Sequence, residues 1–233
     1  MLNYICSYLP VKDKDIMNIS NIKINFLGDS ITEGSGTSSP DKRYWELLGK
    51  ETGATVRGYG IGGTRFAKQS TPSLWPRHDL DFVMRPQEMD DDADVIVVFG
   101  GTNDFGHGDA PIGNPNDRDN TTFYGACHKL FTDLINKYPT STIVVMTPLH
   151  RANEDNPCGD AKPAPVAPLI AYVNIIKEVA AYYSLPLLDL WSLAGIQPKV
   201  EINRAKYCPD GLHPNDDGHV IIKNRLVGFL KAL

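Results

Sequence analysis

Residues 94–99, Asp-Val-Ile-Val-Val-Phe, constrain the possible folds of this chain more than any other stretch. Every residue after the aspartate is apolar, and Gly100 and Gly101 end the run. An unbroken apolar run of this length is typical of a strand that is buried on both faces, as in a parallel sheet. It therefore favours a sheet with helices packed against both faces.

Predicted strands and helices alternate along the rest of the chain, and each strand ends in a loop rich in glycine or polar residues. We predict strands over residues 22–27, 54–57, 94–99, 142–146 and 186–190, and helices near 41–53, 121–137, 166–183 and 215–230. This order predicts an α/β fold of three layers, α/β/α, with a five-stranded parallel sheet. No linker or internal repeat divides the sequence, so we expect a single domain over residues 1–233, in which residues 1–20 are a short lead-in.

Composition argues against several classes of function. The net charge of −5 and the lack of a basic block disfavour a nucleic-acid partner. No apolar run approaches the ~20 residues that a membrane span requires, and charged residues at 12–14 interrupt any secretory leader, so we expect a cytoplasmic protein without a membrane partner. The cysteines Cys6, Cys127, Cys158 and Cys208 are far apart, which predicts free thiols rather than a structural zinc site.

A serine follows the first predicted strand, in Gly28-Asp29-Ser30. Open α/β sheets bind ligands at this end of their strands, but a serine hydroxyl is a weak nucleophile until a base takes its proton. Asp210 and His213 lie in a glycine-containing turn before the last predicted helix, and Pro214 disfavours helical backbone at His213. Such a turn can bring the carboxylate against the imidazole and orient the ring as a base for Ser30. No Gly-x-Ser-x-Gly motif occurs, so we expect Ser30 on a looser loop than the strained turn of α/β-hydrolases.

Donors for a developing oxyanion are also present at strand ends. Glycines allow the backbone to approach a ligand closely and to expose its N–H groups. The N–H groups of Ser30 and Gly63 and the carboxamide of Asn103 are the candidates. Each such donor is typically worth about 10²–10³ in rate.

Together these segments resemble the SGNH, or GDSL-type, hydrolase superfamily. Four blocks carry the resemblance in the family's order, at residues 28–32, 60–63, 100–104 and 210–213, within residues 22–231. The resemblance implies a flavodoxin-like SGNH hydrolase fold and a serine ester hydrolase that needs neither a metal nor an organic cofactor.

The resemblance also implies roles for individual residues. Ser30 would be the nucleophile and would supply the first oxyanion amide, and His213 would be the general base, oriented by Asp210. Gly63 would supply the second amide and Asn103 a side-chain donor. The family's second block usually has Asn or Ala shortly before its glycine, where this chain has Tyr59 and Gly60, so Gly60 stays an alternative to Gly63.

The expected partner is a small-molecule ester. The sequence contains no large apolar lid, which favours a short acyl chain, and acetylated carbohydrates are the first hypothesis. The residues expected to line the pocket are Asp29, Phe105, His107, His150, Arg151 and Asn153, and the aromatic residues that could stack on sugars are Tyr59, Trp75, Phe105 and Trp191. Because only a neutral imidazole can act as the base, we expect kcat/KM to rise with pH as His213 loses its proton.

Alternative functions depend on other readings of the same residues. A metal-dependent phosphoesterase would use ligands at strand ends, among Asp29, Asn103, Asp104, His150, Asp210 and His213, although no His-Glu-x-x-His pair occurs and Ser30 would have no role. A non-catalytic carbohydrate-binding protein could share the fold. The Gly58-x-Gly60-x-x-Gly63 pattern matches the dinucleotide-binding fingerprint, but no convincing helix follows it, which disfavours a nucleotide-binding oxidoreductase. The acidic residues 88–94 lack the central glycine of a calcium-binding loop, which disfavours a calcium site.

Overall fold

A computed structural model describes residues 18–233. Residues 1–17 of the predicted lead-in, Cys6 among them, lie outside the described residues. The strands are β1 (Lys23–Gly28), β2 (Thr55–Gly60), β3 (Val95–Phe99), β4 (Thr142–Met146) and β5 (Leu187–Leu188). The helices are α1 (Ser30–Glu33), α2 (Tyr44–Thr52), α3 (Thr102–His107), α4 (Phe123–Lys137), α5 (Leu169–Tyr182), α6 (Leu190–Leu193), α7 (Glu201–Tyr207) and α8 (Asp216–Ala232).

The strands form one five-stranded sheet in the order β2-β1-β3-β4-β5, and every neighbouring pair is parallel. This confirms the predicted α/β fold with a five-stranded parallel sheet. The short helices α1, α3, α6 and α7 lie in segments that the sequence did not assign to helices. Elements this short show too few turns for a helical period to appear in the sequence.

The two faces of the sheet pack against two different sets of helices. On β3, the side chains of Val95, Val97 and Phe99 lie in one buried cluster, together with residues of α2 and α8. Ile96 and Val98 lie in the other, together with residues of α4 and α5. All five β3 residues are buried, which is why this stretch is apolar without interruption.

The order of the strands determines where a ligand can bind. From β1 the chain goes to β2 on one side, whereas β3 lies on the other side of β1, so the strand order reverses beside β1. A crevice at the carboxyl ends of the strands is expected at such a switch point. Gly28 pairs with Gly60 of β2 and with Phe99 of β3, and the loops that follow these residues therefore meet at one edge.

Two expectations from composition can be compared with the described residues. Cys127, Cys158 and Cys208 are free thiols. No helix between residues 18 and 233 combines the length and the apolar character that crossing a bilayer requires.

Candidate active site

Ser30 is the first residue of the short helix α1, directly after β1. The prediction of a loop around Ser30 was wrong, because Asp29 caps a helix there by accepting the Ile31 N–H at 3.0 Å. The first N–H groups of a helix have no partner within the helix. Accordingly, no acceptor for the Ser30 N–H lies within residues 18–233.

Helix α1 is tied to the core through Thr32. The hydroxyl oxygens of Thr32 and Tyr44 lie 2.9 Å apart, and Trp45 donates its indole N–H to the Thr32 carbonyl at 2.8 Å. Gly28 and Gly60 let the backbone pass closely: a β-carbon added to Gly60 would lie 2.2 Å from the Glu33 nitrogen. Ser30 is therefore presented from a rigid element rather than from a free loop.

His213 lies against Ser30 although 183 residues separate them in the sequence. Its Nε2 is 3.1 Å from the Ser30 Oγ, and its Nδ1 is 2.7 Å from the Asp210 Oδ2. The other oxygen of Asp210 accepts the N–H groups of Leu212 at 2.8 Å and His213 at 2.7 Å. Burial raises the pKa of Asp210, but these backbone donors and the His213 side chain outweigh it, and the net pKa lies below the usual range. Asp210 is therefore ionised near neutral pH and can hold the imidazole with its Nε2 lone pair toward Ser30.

The turn that carries His213 is fixed by two close approaches. Gly211 has a φ of +80°, and its carbonyl accepts the Ala152 N–H at 2.8 Å. On the other side, a β-carbon at Gly36 would lie 2.4 Å from the Pro214 carbonyl oxygen and 3.1 Å from the His213 Cβ. The segment after α1 thus packs against the histidine turn, which explains why it is rich in glycine.

The loop after β2 lies beside Ser30 and contains the expected oxyanion donor. A β-carbon at Gly62 would lie 3.5 Å from the Ser30 Cβ. The Gly63 N–H has no acceptor within residues 18–233, whereas the Gly62 N–H is donated to Glu33 Oε2 at 2.6 Å. Gly60 instead packs against the α1 backbone, so the geometry favours Gly63 over Gly60 as the donor.

Asn103 approaches the same loop from the β3 side. It is the second residue of α3 and is almost completely buried. Its carboxamide nitrogen donates to the Thr64 carbonyl at 2.9 Å, which uses one of its two hydrogens. The other hydrogen has no acceptor within residues 18–233.

Two buried ionisable residues support this edge of the sheet, and no sequence pattern predicts this role for either of them. Arg85 donates to the carbonyl oxygens of Gly28, at 3.0 and 3.1 Å, and Tyr59, at 2.8 Å, and so joins the carboxyl ends of β1 and β2. Burial lowers the pKa of Arg85 to about 10, so it keeps its charge at neutral pH. Asp104 accepts the N–H groups of Phe66 and Ala67 at 2.9 Å, while burial raises its pKa to about 7.

Glu33 connects the serine helix to the oxyanion loop. One carboxylate oxygen accepts the Gly62 N–H, and the other accepts from Arg77 at 2.6 Å. The sequence contained no local signal for this contact, since Glu33 and Gly62 are 29 residues apart.

The predicted pocket-lining residues have different surroundings. Phe105 is completely buried and packs edge-on against Tyr172, so the prediction that it lines the pocket or stacks on sugars was wrong. Asp29 is also buried, and burial raises its pKa to about 6. Arg151 is buried too, and its guanidinium pairs with the Asp160 carboxylate at 2.5 Å. Asp29, His150 and Arg151 all line one cavity of about 10 Å³, which is too small for a sugar.

The remaining predicted positions lie nearer the surface. His150 stacks on Trp191 with ring centroids 3.8 Å apart and contacts Glu154 at 2.8 Å. Asn153 donates to Asp160 at 2.6 Å. His107, the last residue of α3, is half-buried, and its Nδ1 lies 3.0 Å from Arg65 Nη1.

The ligand sets of the alternative functions do not assemble. Between residues 18 and 233, no group of three or more His, Cys, Asp or Glu side chains is arranged to hold a metal ion. The candidate ligands instead face protein partners: Asp104 caps backbone N–H groups, and Asp210 faces His213. In the acidic segment, Asp92 pairs with Lys23 at 2.6 Å and Arg57 at 2.7 Å.

Solved structures of similar proteins share this architecture. A protein from Lactobacillus plantarum is 30% identical, with a TM-score of 0.78 over 92% of this chain and 98% of that one. A carbohydrate acetylesterase family member from Sinorhizobium meliloti is 18% identical, with a TM-score of 0.62 over 91% of this chain and all of that one. A two-domain esterase active on acetylated mannans is 20% identical, with a TM-score of 0.59 over 91% of this chain and 49% of that one. The last two likenesses are evidence of the fold alone.

Sequence comparison identifies the family directly. A search of curated proteins found no match to the chain. The model of the GDSL-like lipase/acylhydrolase family matches residues 26–221, which include Ser30, Gly63, Asn103, Asp210 and His213. The chain belongs to the GDSL-like lipase/acylhydrolase family.

Proposed function

We propose that the protein is a serine carboxylic-ester hydrolase that acts by acyl transfer through Ser30. The observation that carries this proposal is the row of contacts from the Ser30 Oγ to the His213 Nε2, at 3.1 Å, and from the His213 Nδ1 to Asp210, at 2.7 Å. A nucleophile, a base and a group that orients the base are the components that such chemistry needs. Membership of an acylhydrolase family supports the same reaction class.

The proposed reaction has two stages. The Ser30 Oγ attacks the ester carbonyl while its proton moves to the His213 Nε2, and the N–H groups of Ser30 and Gly63 with the Asn103 carboxamide stabilise the oxyanion. The protonated imidazole then gives its proton to the leaving alcohol, which leaves an acyl group on Ser30. Water, deprotonated by His213, attacks this acyl group in the second stage, releases the acid and restores the serine hydroxyl.

Short acyl esters of carbohydrates are the substrates that we propose. The cavity beside Asp29 has room for about one water molecule, so it cannot hold a long acyl chain. Two proteins of the same fold support this class of substrate. One is the carbohydrate acetylesterase family member from Sinorhizobium meliloti, and the other is the two-domain esterase active on acetylated mannans. A polar rim rather than an apolar one also fits a sugar better than a lipid, since His78, Arg77 and Glu33 lie around the oxyanion loop.

Substitution of the serine tests the proposal. Ser30→Ala should lower kcat for p-nitrophenyl acetate at least about 10⁴-fold, with its circular dichroism spectrum unchanged. Ser192→Ala, which alters an exposed serine of α6, is the matched control and should retain full activity. Residual activity above one per cent in Ser30→Ala would contradict the proposed nucleophile. A preference for decanoyl over acetyl esters would contradict the proposed acyl length.

A chelator separates this proposal from a metal-dependent phosphoesterase. Activity on p-nitrophenyl acetate should be unchanged after dialysis against EDTA, because the reaction uses only side-chain and backbone groups. Loss of turnover that added Mg²⁺ or Zn²⁺ restores would favour the phosphoesterase. Binding of an acetylated sugar without turnover of any ester would favour a non-catalytic carbohydrate-binding protein.

A further inference from the structure

Two histidines flank the proposed oxyanion donors. His78 lies in the 3-10 helix Pro76–Asp79, and its ring covers Gly63: a β-carbon added to Gly63 would lie 2.5 Å from the His78 Cδ2. His107 follows Asn103 by four residues on α3, which places both on the same side of that helix. The two imidazole rings have centroids 6.1 Å apart. His78 therefore lies next to the Gly63 donor, and His107 lies beside His78 on the helix that carries Asn103.

One buried arginine holds both histidines in place. Arg65 is 3% exposed, and its Nη1 lies 3.0 Å from the His107 Nδ1. Its Nη2 donates to the His78 carbonyl at 3.1 Å and to Asp79 at 2.8 Å. The charge of this guanidinium is therefore matched by Asp79, and the segment that carries His78 is fixed to the helix that carries His107.

The hydrogen bonds determine which ring nitrogens can bind a ligand. Arginine can only donate, so the His107 Nδ1 must accept, and the proton of the neutral ring lies on Nε2. Burial and the charge of Arg65 lower the pKa of His107 to about 4, and burial with Arg65 and Arg77 lowers the pKa of His78. Within residues 18–233, no protein group bonds the His107 Nε2 or either ring nitrogen of His78. The pair of rings thus offers one fixed donor, the His107 Nε2, and one ring, His78, that can both donate and accept.

We propose that His78 and His107 form a subsite for a hydroxyl group that neighbours the ester in the substrate. A hydroxyl both donates and accepts hydrogen bonds, as this pair of neutral rings does. An anionic group fits less well, because neither ring is charged at neutral pH and Asp79 already pairs with Arg65. The inference rests on the proposed function, and it specifies the substrate class as esters of polyols or sugars with a free hydroxyl beside the ester.

The test compares two esters in the intact protein. The substrates are methyl 3-O-acetyl-xylopyranoside, whose ester has hydroxyl neighbours, and its 2,4-dideoxy analogue, which lacks them. Each hydroxyl that bonds to the pair stabilises the transition state, so the wild-type kcat/KM should favour the hydroxylated ester by about tenfold. His78→Phe and His107→Phe should each bring this ratio toward one. His107→Gln can still accept from Arg65 and donate to a hydroxyl, so it should keep most of the preference.

The ratio of the two rates distinguishes a subsite from a structural role. A substitution that only disturbed packing would lower both rates and leave their ratio unchanged, and that result would overturn the inference. His128→Phe is the control, since the His128 imidazole lies on α4 and contacts Tyr183. The ratio of kcat/KM for the two esters in this variant should equal that of the wild type. Wild-type protein that hydrolyses both esters at equal kcat/KM would also overturn the inference but not the proposed function. Failure to hydrolyse any ester, p-nitrophenyl acetate included, would overturn both.

Discussion

Replacement of Glu33 by alanine should slow catalysis, although we assign Glu33 no direct contact with the reacting atoms. Its carboxylate accepts the Gly62 N–H at 2.6 Å and so holds the loop that carries the Gly63 N–H. Without this acceptor the loop is less well fixed at the distance that the oxyanion requires, and donors of this kind act through their fixed position. Glu33 is therefore a positioning residue, and the effect should appear in kcat rather than in KM.

The structure sets the expected magnitude. A hydrogen bond to a charged group contributes about 1.5–3 kcal/mol, and the lower end applies because the Glu33 side chain is 33% exposed. About 1.4 kcal/mol corresponds to a factor of ten in rate. Glu33→Ala should thus lower kcat by about tenfold, whereas Glu33→Gln keeps a neutral acceptor for the Gly62 N–H and should lose only about threefold.

Arg77→Met provides the matched control for charge. It removes the ion pair with Glu33 but leaves the bond to Gly62, and a pair as exposed as this one contributes at most about 1 kcal/mol. The assay is the kcat and KM of p-nitrophenyl acetate hydrolysis beside the midpoint of thermal unfolding for each variant. The reasoning is refuted if Glu33→Ala keeps the wild-type kcat, or if Arg77→Met slows catalysis as much as Glu33→Ala does.

Three further substitutions test other parts of the structure. Asp210→Asn presents an amide N–H to the His213 Nδ1, so the ring proton moves to Nε2, which can then no longer accept from Ser30. Steady-state kinetics should show that kcat falls by about 10³–10⁴. A loss in kcat below tenfold would contradict the proposed orientation of the imidazole. Burial lowers the pKa of His219 from 6.5 to about 4, so the contribution of this neutral imidazole to stability is present above pH 6.5 and is lost as the pH falls toward 4. Between these pH values, the free energy of unfolding in urea should fall by about 3 kcal/mol less for His219→Gln than for the wild type. Parallel plots of this free energy against pH for the two proteins would disprove the prediction. Gly60→Ala should lower the free energy of unfolding by about 1–3 kcal/mol, because the new methyl group would lie 2.2 Å from the Glu33 nitrogen. The control is Gly228→Ala, which has open space around the new methyl group and should not destabilise the protein in the same urea titration.

The sheet was predictable from the sequence because hydrophobic burial leaves a local pattern. The apolar run at β3 predicted a strand buried on both faces, and the predicted limits of β4, residues 142–146, agree with the structure. The segments around Ser30 and His213 could be identified because each carries its chemistry within a few residues. Their approach across 183 residues followed from strands whose loops meet at one edge.

What the sequence did not predict depends on long-range contacts of single side chains. Glu33, His78 and Arg85 have no repeating pattern, and two of them lie in residues 65–92, where prolines at 72, 76 and 86 interrupt every period. Phe105 was misjudged because it follows directly on polar residues of a strand-end loop. In the structure that loop winds into α3, which turns the aromatic ring back into the core.

The separation of Ser30 from His213 also has a consequence for folding. Helix α8, which follows the histidine turn, docks on α2 through the Tyr44 N–H, donated to His219 at 3.0 Å, and the ion pair of Lys223 with Glu51. The long chain between the serine and the histidine must be ordered before their contact can form, and such a closure is slow compared with local helix formation. During refolding, esterase activity should therefore return after the far-ultraviolet dichroism signal of the helices. The recovery of activity would then report when the segments around Ser30 and His213 come into contact, which is the last long-range contact of the domain to form.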